Sequence, residues 1–353
     1  MKKISKIIKC IIFFIIGIII FQLLTVIFVP KNLEGITMKK FYSEEKNKID
    51  VLTIGSSTIR SSYSPMDVWD KYGITSYNLG TSNQTMGLSY YMILEALKYQ
   101  DSKVIVLDFD DVFVENMEKA YRKTLDNMKL DDVKIKALFD SKIYNLSENK
   151  LSYMFPLLRY HTRWNELEEN DFCNINKNKD YERTIKGNVI SFYKDPYKDN
   201  NYMKEKDKKE KISEENLYYI DRIVNLCKDR NIKMLWVAVP SSSDWSLEKN
   251  RTVEELANKY KIKFVDYNLD SKIKELKIDW NNDTPDKGVH LNSYGAKKIS
   301  NDIGKILNEE YNLKNHKNDK NYKEWNKQTK KYKKEKEKIK KMNDENNKKI
   351  RRN

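Results

Sequence analysis

Histidine occurs three times in this chain of 353 residues, cysteine three times, proline six times and glycine ten times. So few cysteines cannot build a disulfide framework, Cys173 and Cys227 being the one pair away from the N-terminus. Scattered histidines and cysteines show none of the spacings that zinc requires, so no metal and no cofactor is expected. The glycines form neither G-x-G-x-x-G nor G-x-x-x-x-G-K, which removes the phosphate-cradling loops of nucleotide-binding proteins. No internal repeat is present.

Acid is missing where base is concentrated. The net charge is +15, yet residues 1–10 hold four lysines and no acid, and 313–353 hold 17 Lys/Arg against 6 Asp/Glu. Everything between is neutral overall, so the pI says nothing about the body and no nucleic-acid partner is expected. Charge is missing again over 11–29, a run long enough at about 1.5 Å per residue to cross roughly 30 Å of hydrocarbon. Small residues of A-x-A type are absent before Pro30, which favours an uncleaved anchor over a signal peptide. Residues 1–30 thus read as a cytoplasmic stub and a membrane span, with membrane contact through 7–29. Lys2, Lys3, Lys6 and Lys9 precede the span while Lys31, Lys39 and Lys40 follow it; this balance favours a cytoplasmic N-terminus and an extracellular body in the cell membrane.

The body alternates short apolar runs with helix-period segments. "DVLTIG" (50–55), "SYNLG" (76–80), "KVIVLDF" (103–109), "IKMLWVAVP" (232–240) and "IKFVDYN" (262–268) read as strands. The third and fourth are nearly continuous in apolar residues, as in parallel strands covered on both faces. Leu88, Tyr91, Met92, Ala96 and Tyr99 share one helical face; so do Leu217, Ile220, Ile223, Val224 and Cys227, and so do Ile299, Ile303 and Leu307 after a Ser293 N-cap. The pattern predicts an α/β fold, a three-layer doubly wound parallel sheet over 45–312, with one N-terminal transmembrane helix and a largely helical insertion at about 111–212. Residues 313–353 show little apolar periodicity and read as a solvated helical or disordered basic tail.

In an open parallel sheet, reactive groups gather at the carboxyl ends of the strands. Here those ends hold Gly55, Ser56 and Ser57; Gly80, Thr81, Ser82 and Asn83; Asp108 and Asp110; Ser241, Ser242, Ser243 and Asp244; and, after the fifth strand, Asp283, Asp286 and His290. A serine becomes nucleophilic when a base takes its proton, and histidine is the usual base near neutral pH. His316 lies in the tail and His161 in the insertion, leaving His290 before the last helix.

A strand ending in Gly55-Ser56-Ser57, a glycine in the setting Asn78-Leu79-Gly80, and His290-Leu291-Asn292 followed by Gly295-Ala296 together resemble the SGNH, or GDSL-like, hydrolase superfamily. The resemblance implies Ser57 as nucleophile, His290 as general base, and Gly80 with the Ser57 N–H as oxyanion donors. Two positions depart from that pattern. Lys287 stands where the family has aspartate three residues before the histidine, so Asp286 is assigned to orient His290, with Asp283 beyond it. "LDFDDVF" replaces the Gly-x-Asn setting after the third strand, so either Asn83 or Gln84 supplies the missing amide or the oxyanion hole is reduced.

The Gly-Ser-Ser form and the anchor look like extracytoplasmic SGNH proteins that work beside membrane-bound O-acyltransferases, including polysaccharide O-acetyltransferases and the teichoic-acid D-alanyl-transfer protein. That implies a serine esterase or O-acyltransferase whose partners are an envelope polysaccharide or acylated carrier and a membrane-bound O-acyltransferase. A catalytically reduced SGNH scaffold that binds envelope polymer or organises an acyltransferase complex is the alternative. Within "RYHTRW" (159–164), Arg159, His161, Arg163 and Trp164 are expected to line an acceptor groove, or else to pack an aromatic face on the body.

Overall fold

The five apolar runs become five strands of one parallel sheet: β1 (Val51–Ile54), β2 (Ser76–Asn78), β3 (Val104–Asp108), β6 (Lys233–Ala238) and β7 (Lys263–Asp266). β4 (Thr184–Ile185) and β5 (Asn188–Val189) form a separate antiparallel hairpin. The computed structural model describes residues 2–114, 118–142, 149–199, 202–204, 210–243 and 245–350, so parts of the insertion, Asp244 and the last three residues of the tail lie outside the described residues. The strand order is β2-β1-β3-β6-β7, every pair parallel. The chain leaves β1 toward one edge and returns at β3 toward the other, which places a switch point above β1 and β3.

Side-chain alternation divides the core in two. Val51, Val104, Val106, Leu235 and Val237 face one way, onto Ile59, Val68, Ile299, Ile303 and Leu307. Leu52, Ile54, Ile105, Leu107, Met234 and Trp236 face the other way, onto Met38, Leu88, Met92, Ile220 and Val224. Each such side chain contributes about 1.5–3 kcal/mol relative to exposure, and coverage on both faces explains why the strands read as unbroken apolar runs. The helices Pro65–Tyr72 and Ser293–Glu309 cover the first face; Leu33–Tyr42, Met86–Ala96, Glu214–Asp229 and Leu247–Tyr260 cover the second. Two details differ from expectation: Asn292 rather than Ser293 caps the last sheet-packed helix, its side chain accepting from the Tyr294 and Gly295 amides, and Leu217 is exposed. Cys10, Cys173 and Cys227 are free thiols.

The N-terminal helix runs Lys2–Phe28. Its Lys6–Phe28 stretch of 23 residues contains an 18-residue window with a mean hydropathy of 3.0, none of it buried in the body, so it is long and apolar enough to cross a membrane.

The basic C-terminal segment corrects the reading of a solvated tail. Its helix, Lys323–Ile350, lays Trp325 on Trp69 with ring centroids 5.2 Å apart. Tyr332 donates to Asp67 Oδ2 at 2.7 Å, and Lys336 pairs with the same carboxylate at 3.2 Å. His316 is buried against Asp50 at 2.8 Å. Trp325, Thr329 and Tyr332 are buried along one face, while the lysines between them keep the opposite face in water.

Candidate active site

β1 ends on Ile54, and Gly55 then takes φ +151°; a Cβ there would stand 2.6 Å from Asp108 Cβ, so only glycine lets the turn sit this close to β3. Ser56 caps the short helix Ser57–Ser62, its Oγ accepting from Thr58 N–H at 3.2 Å. Thr58 Oγ1 donates to Asp108 Oδ2 at 2.9 Å. A threonine hydroxyl has one proton, so in the 2.7 Å contact between Ser56 Oγ and Thr58 Oγ1 the serine donates. Burial, reinforced by the neighbouring Asp110 carboxylate, pushes Asp108 well above the usual carboxylate range, against the opposing bonds from Thr58 and the Val239 and Asp110 amides. Asp108 thus ties the turn that carries Ser57 to the ends of β3 and β6.

Ser57 Oγ lies 2.8 Å from His290 Nε2, and His290 Nδ1 lies 2.6 Å from Asp286 Oδ2. An ionised carboxylate only accepts, so the proton sits on Nδ1, Nε2 accepts, and Ser57 donates to it. The His290 side chain is 27% exposed and that of Asp286 42% exposed, which leaves the chain open to solvent at its acid end.

The loop that holds this pair is shaped by its own backbone. Lys287 and Gly288 take φ 56° and 89°. Thr284 Oγ1 accepts from Gly288 N–H at 2.6 Å, Ser242 N–H donates to Gly288 O at 2.9 Å, and Ser242 Oγ donates to Lys287 O at 2.9 Å. The serine after β6 therefore braces the His290 loop. Asp244 lies outside the described residues. Asp283 is directed elsewhere: it pairs with Lys298 and accepts from Asp279 N–H.

A strap from the end of the insertion completes the brace. Ser293 N–H donates to Ser191 O at 2.8 Å, Lys287 N–H to Asp195 O at 2.9 Å, and Asp195 N–H to Thr284 O at 3.0 Å. Asn292 Nδ2 reaches Tyr193 O at 3.0 Å. At the other side, Asn78 N–H donates to Lys186 O at 2.9 Å, so the β4–β5 hairpin rests on the end of β2. The insertion thus supports both loops beside Ser57, a role that nothing in its polar sequence indicated.

The expected oxyanion donors divide. Gly80 packs on the Ser57 turn, where a Cβ would meet Ser56 O at 2.6 Å, but its N–H donates to Asn78 Oδ1 at 3.1 Å; an Asx turn closing β2 has taken the proton the resemblance assigned to an oxyanion. Gln84 is occupied as well, accepting from Thr81 and donating to Ser89. Asn83, half-buried at φ 56°, carries an amide with no hydrogen-bond partner among the described residues, and the Ser57 N–H is likewise unengaged.

Buried Glu34 pairs with the largely buried Arg60 at 2.7 Å, and Ser82 Oγ donates to the same Glu34 oxygen at 2.9 Å. Burial raises the Glu34 carboxyl, but the Arg60 charge and hydrogen bond outweigh it and hold the group below its ordinary value. The helix Leu33–Tyr42 is thereby tied to the Ser57–Ser62 helix and to the loop after β2.

"RYHTRW" is placed differently from the expected groove. Arg159 pairs with Asp126 at 2.7 Å, and Arg163 donates to Phe28 O at 2.6 Å and pairs with Asp171 at 3.2 Å. His161 Nδ1 meets Leu158 O at 3.0 Å, and Trp164 is exposed. The guanidinium groups are spent on protein partners beside the C-terminal end of the N-terminal apolar helix, so they do not form an anion-binding groove at Ser57.

No protein-family model and no curated protein matches the chain. Solved structures similar to it include a candidate acylhydrolase from Bacteroides fragilis, 12% identical over 77% of this chain and 94% of that one with a TM-score of 0.36, and a GDSL-like lipase from Bacteroides thetaiotaomicron, 10% identical over 80% of this chain and 100% of that one with a TM-score of 0.37. Similarity at this level does not assign an activity.

Proposed function

We propose that this chain is a serine-dependent acyl-ester enzyme of SGNH type, anchored in the cell membrane with its body outside. The observation that carries the reading is the continuous Ser57–His290–Asp286 chain at 2.8 and 2.6 Å. Ser57 Oγ bonds to the acyl carbonyl carbon while its proton passes to His290 Nε2 and the carbonyl electrons collect on oxygen. The Ser57 N–H and the Asn83 amide are the donors we assign to that oxyanion. The tetrahedral centre then expels the alcohol, which takes the proton from His290, and the acyl group stays on Ser57 as an ester. In the second half, a hydroxyl attacks that ester, gives its proton to His290, and Ser57 leaves with it.

Water as acceptor makes the protein an esterase, and a polymer hydroxyl makes it an O-acyltransferase. An envelope polysaccharide as acceptor and a membrane-bound O-acyltransferase as acyl donor fit the anchor and the extracellular body. The engaged Gly80 N–H favours the second reading, a scaffold that binds polymer without turning over. Labelling of the folded full chain with a fluorophosphonate probe tests the choice. Adduct on Ser57, lost in Ser57→Ala and slowed in His290→Ala, supports the enzyme; an inert folded protein puts the scaffold ahead.

A further inference from the structure

The "RYHTRW" segment belongs to a stretch that packs on the membrane helix. Phe155 meets Phe21 edge-on with ring centroids 6.0 Å apart. Met154, Phe155 and Pro156 form one wall of a cleft whose other wall includes Phe14, Ile18 and Phe21 of the apolar helix. Phe21 precedes Phe28, the last residue of that helix, by two turns, or about 10 Å along the axis. The turn at 154–156 therefore reaches well below the point where the span ends.

The same stretch exposes large apolar side chains among polar ones. Leu151 is 49% exposed, Leu158 52%, Trp164 72% and Phe172 65%. Scattered exposed leucines are ordinary, but large aromatic residues clustered beside a membrane helix are not. The cationic groups within the stretch are turned away, Arg159 into Asp126 and Arg163 onto Phe28 O and Asp171.

We propose that residues 151–172 are a second membrane contact, a monotopic platform whose Phe155 turn enters the acyl region while Trp164 sits at the headgroup level. The occupant is the lipid bilayer, because the platform is continuous with the face of the helix that crosses it. Glu166, Glu168 and Glu169 are exposed in the same stretch and repel anionic headgroups, so the contact rests on its apolar side chains and is independent of anionic lipid. With the span, it gives the body two points of attachment and fixes its tilt. The proposal rests on the membrane reading of the N-terminal helix and not on the chemistry at Ser57.

The test uses the full chain in phosphatidylcholine liposomes containing lipid brominated along its acyl chains, which quenches nearby tryptophan. The wild type is compared with Trp164→Phe, and with Phe155→Trp placed on that background. The expected result is a quenched fraction that falls in Trp164→Phe and returns with Phe155→Trp, the latter responding best to bromines placed deeper. Equal quenching in wild type and Trp164→Phe, with both introduced and native tryptophans open to aqueous iodide, overturns the platform, including the case in which a partner protein covers this face in its own membrane. Flotation after alkaline carbonate separates the failures: a chain that floats yet is open to iodide loses the platform alone, whereas one that does not float loses the span as well.

Discussion

Asp286 holds His290 twice: Oδ1 accepts from the His290 backbone N–H at 2.8 Å and Oδ2 meets the ring Nδ1 at 2.6 Å. One carboxylate thus sets both the path of the loop and the tautomer of the base. Asp286→Asn keeps the size and an acceptor for the backbone while removing the charge that holds the proton on Nδ1. Acylation of Ser57 is expected to fall by a factor on the order of 10²–10⁴, with little change in the thermal midpoint, as read by stopped assays and calorimetry on one preparation.

Gly55→Ala tests the turn that presents Ser57. The new methyl would stand 2.6 Å from Asp108 Cβ at a φ of +151°, so β1 and β3 must part or the turn must flip. Loss of acylation together with reduced stability, by about 2 kcal/mol or more, is the expected outcome. Full activity from this variant would show that the turn is more yielding than its packing implies.

The Glu34–Arg60 pair makes a pH-dependent prediction. Glu34 is held below its ordinary value in the fold, so the stability it contributes is present above the unfolded value of about 4.3 and is lost as pH falls through the lower folded one. Glu34→Gln leaves Arg60 buried without its counter-charge, costing about 3–5 kcal/mol near neutral pH. The gap between wild type and variant, followed by denaturant unfolding, should be flat from pH 6 to 8 and close in acid. A gap that widened in acid would contradict the assignment.

Trp325→Ala tests whether the C-terminal helix belongs to the fold. Trp325 is 4% exposed and rests on Trp69, and large-to-small changes at such positions cost about 3–5 kcal/mol. Release of 317–350 to protease at a lower temperature than in wild type is expected. Deletion of 317–353 would then expose Trp69 and leave Asp67 without Tyr332 and Lys336, and is expected to lower the thermal midpoint of the body.

The sheet was legible because parallel strands covered on both faces must be apolar throughout, as "KVIVLDF" is. His290 was legible through scarcity, being the one histidine that precedes a sheet-packed helix. The packing of the C-terminal helix on the body was missed because Trp325, Thr329, Tyr332, Lys336 and Ile339 repeat at spacings of three and four, yet lysines dilute the stripe and one of them is part of it. The strap was invisible for a different reason. Residues 191–195 hold the His290 loop through backbone amides and carbonyls, which leave no mark on side-chain pattern. The Gly80 amide was misassigned because the Asn78 side chain that captures it sits two residues earlier, a local contest that the motif does not encode.

Intact-mass spectrometry of the full chain incubated with p-nitrophenyl acetate, with Ser57→Ala and His290→Ala alongside, addresses the central claim most directly. The account predicts a single acetyl adduct on Ser57 with release of p-nitrophenol, absent in the serine variant and formed more slowly in the histidine variant. A folded wild-type protein that gives neither adduct nor p-nitrophenol, or an adduct that persists in Ser57→Ala, would contradict it.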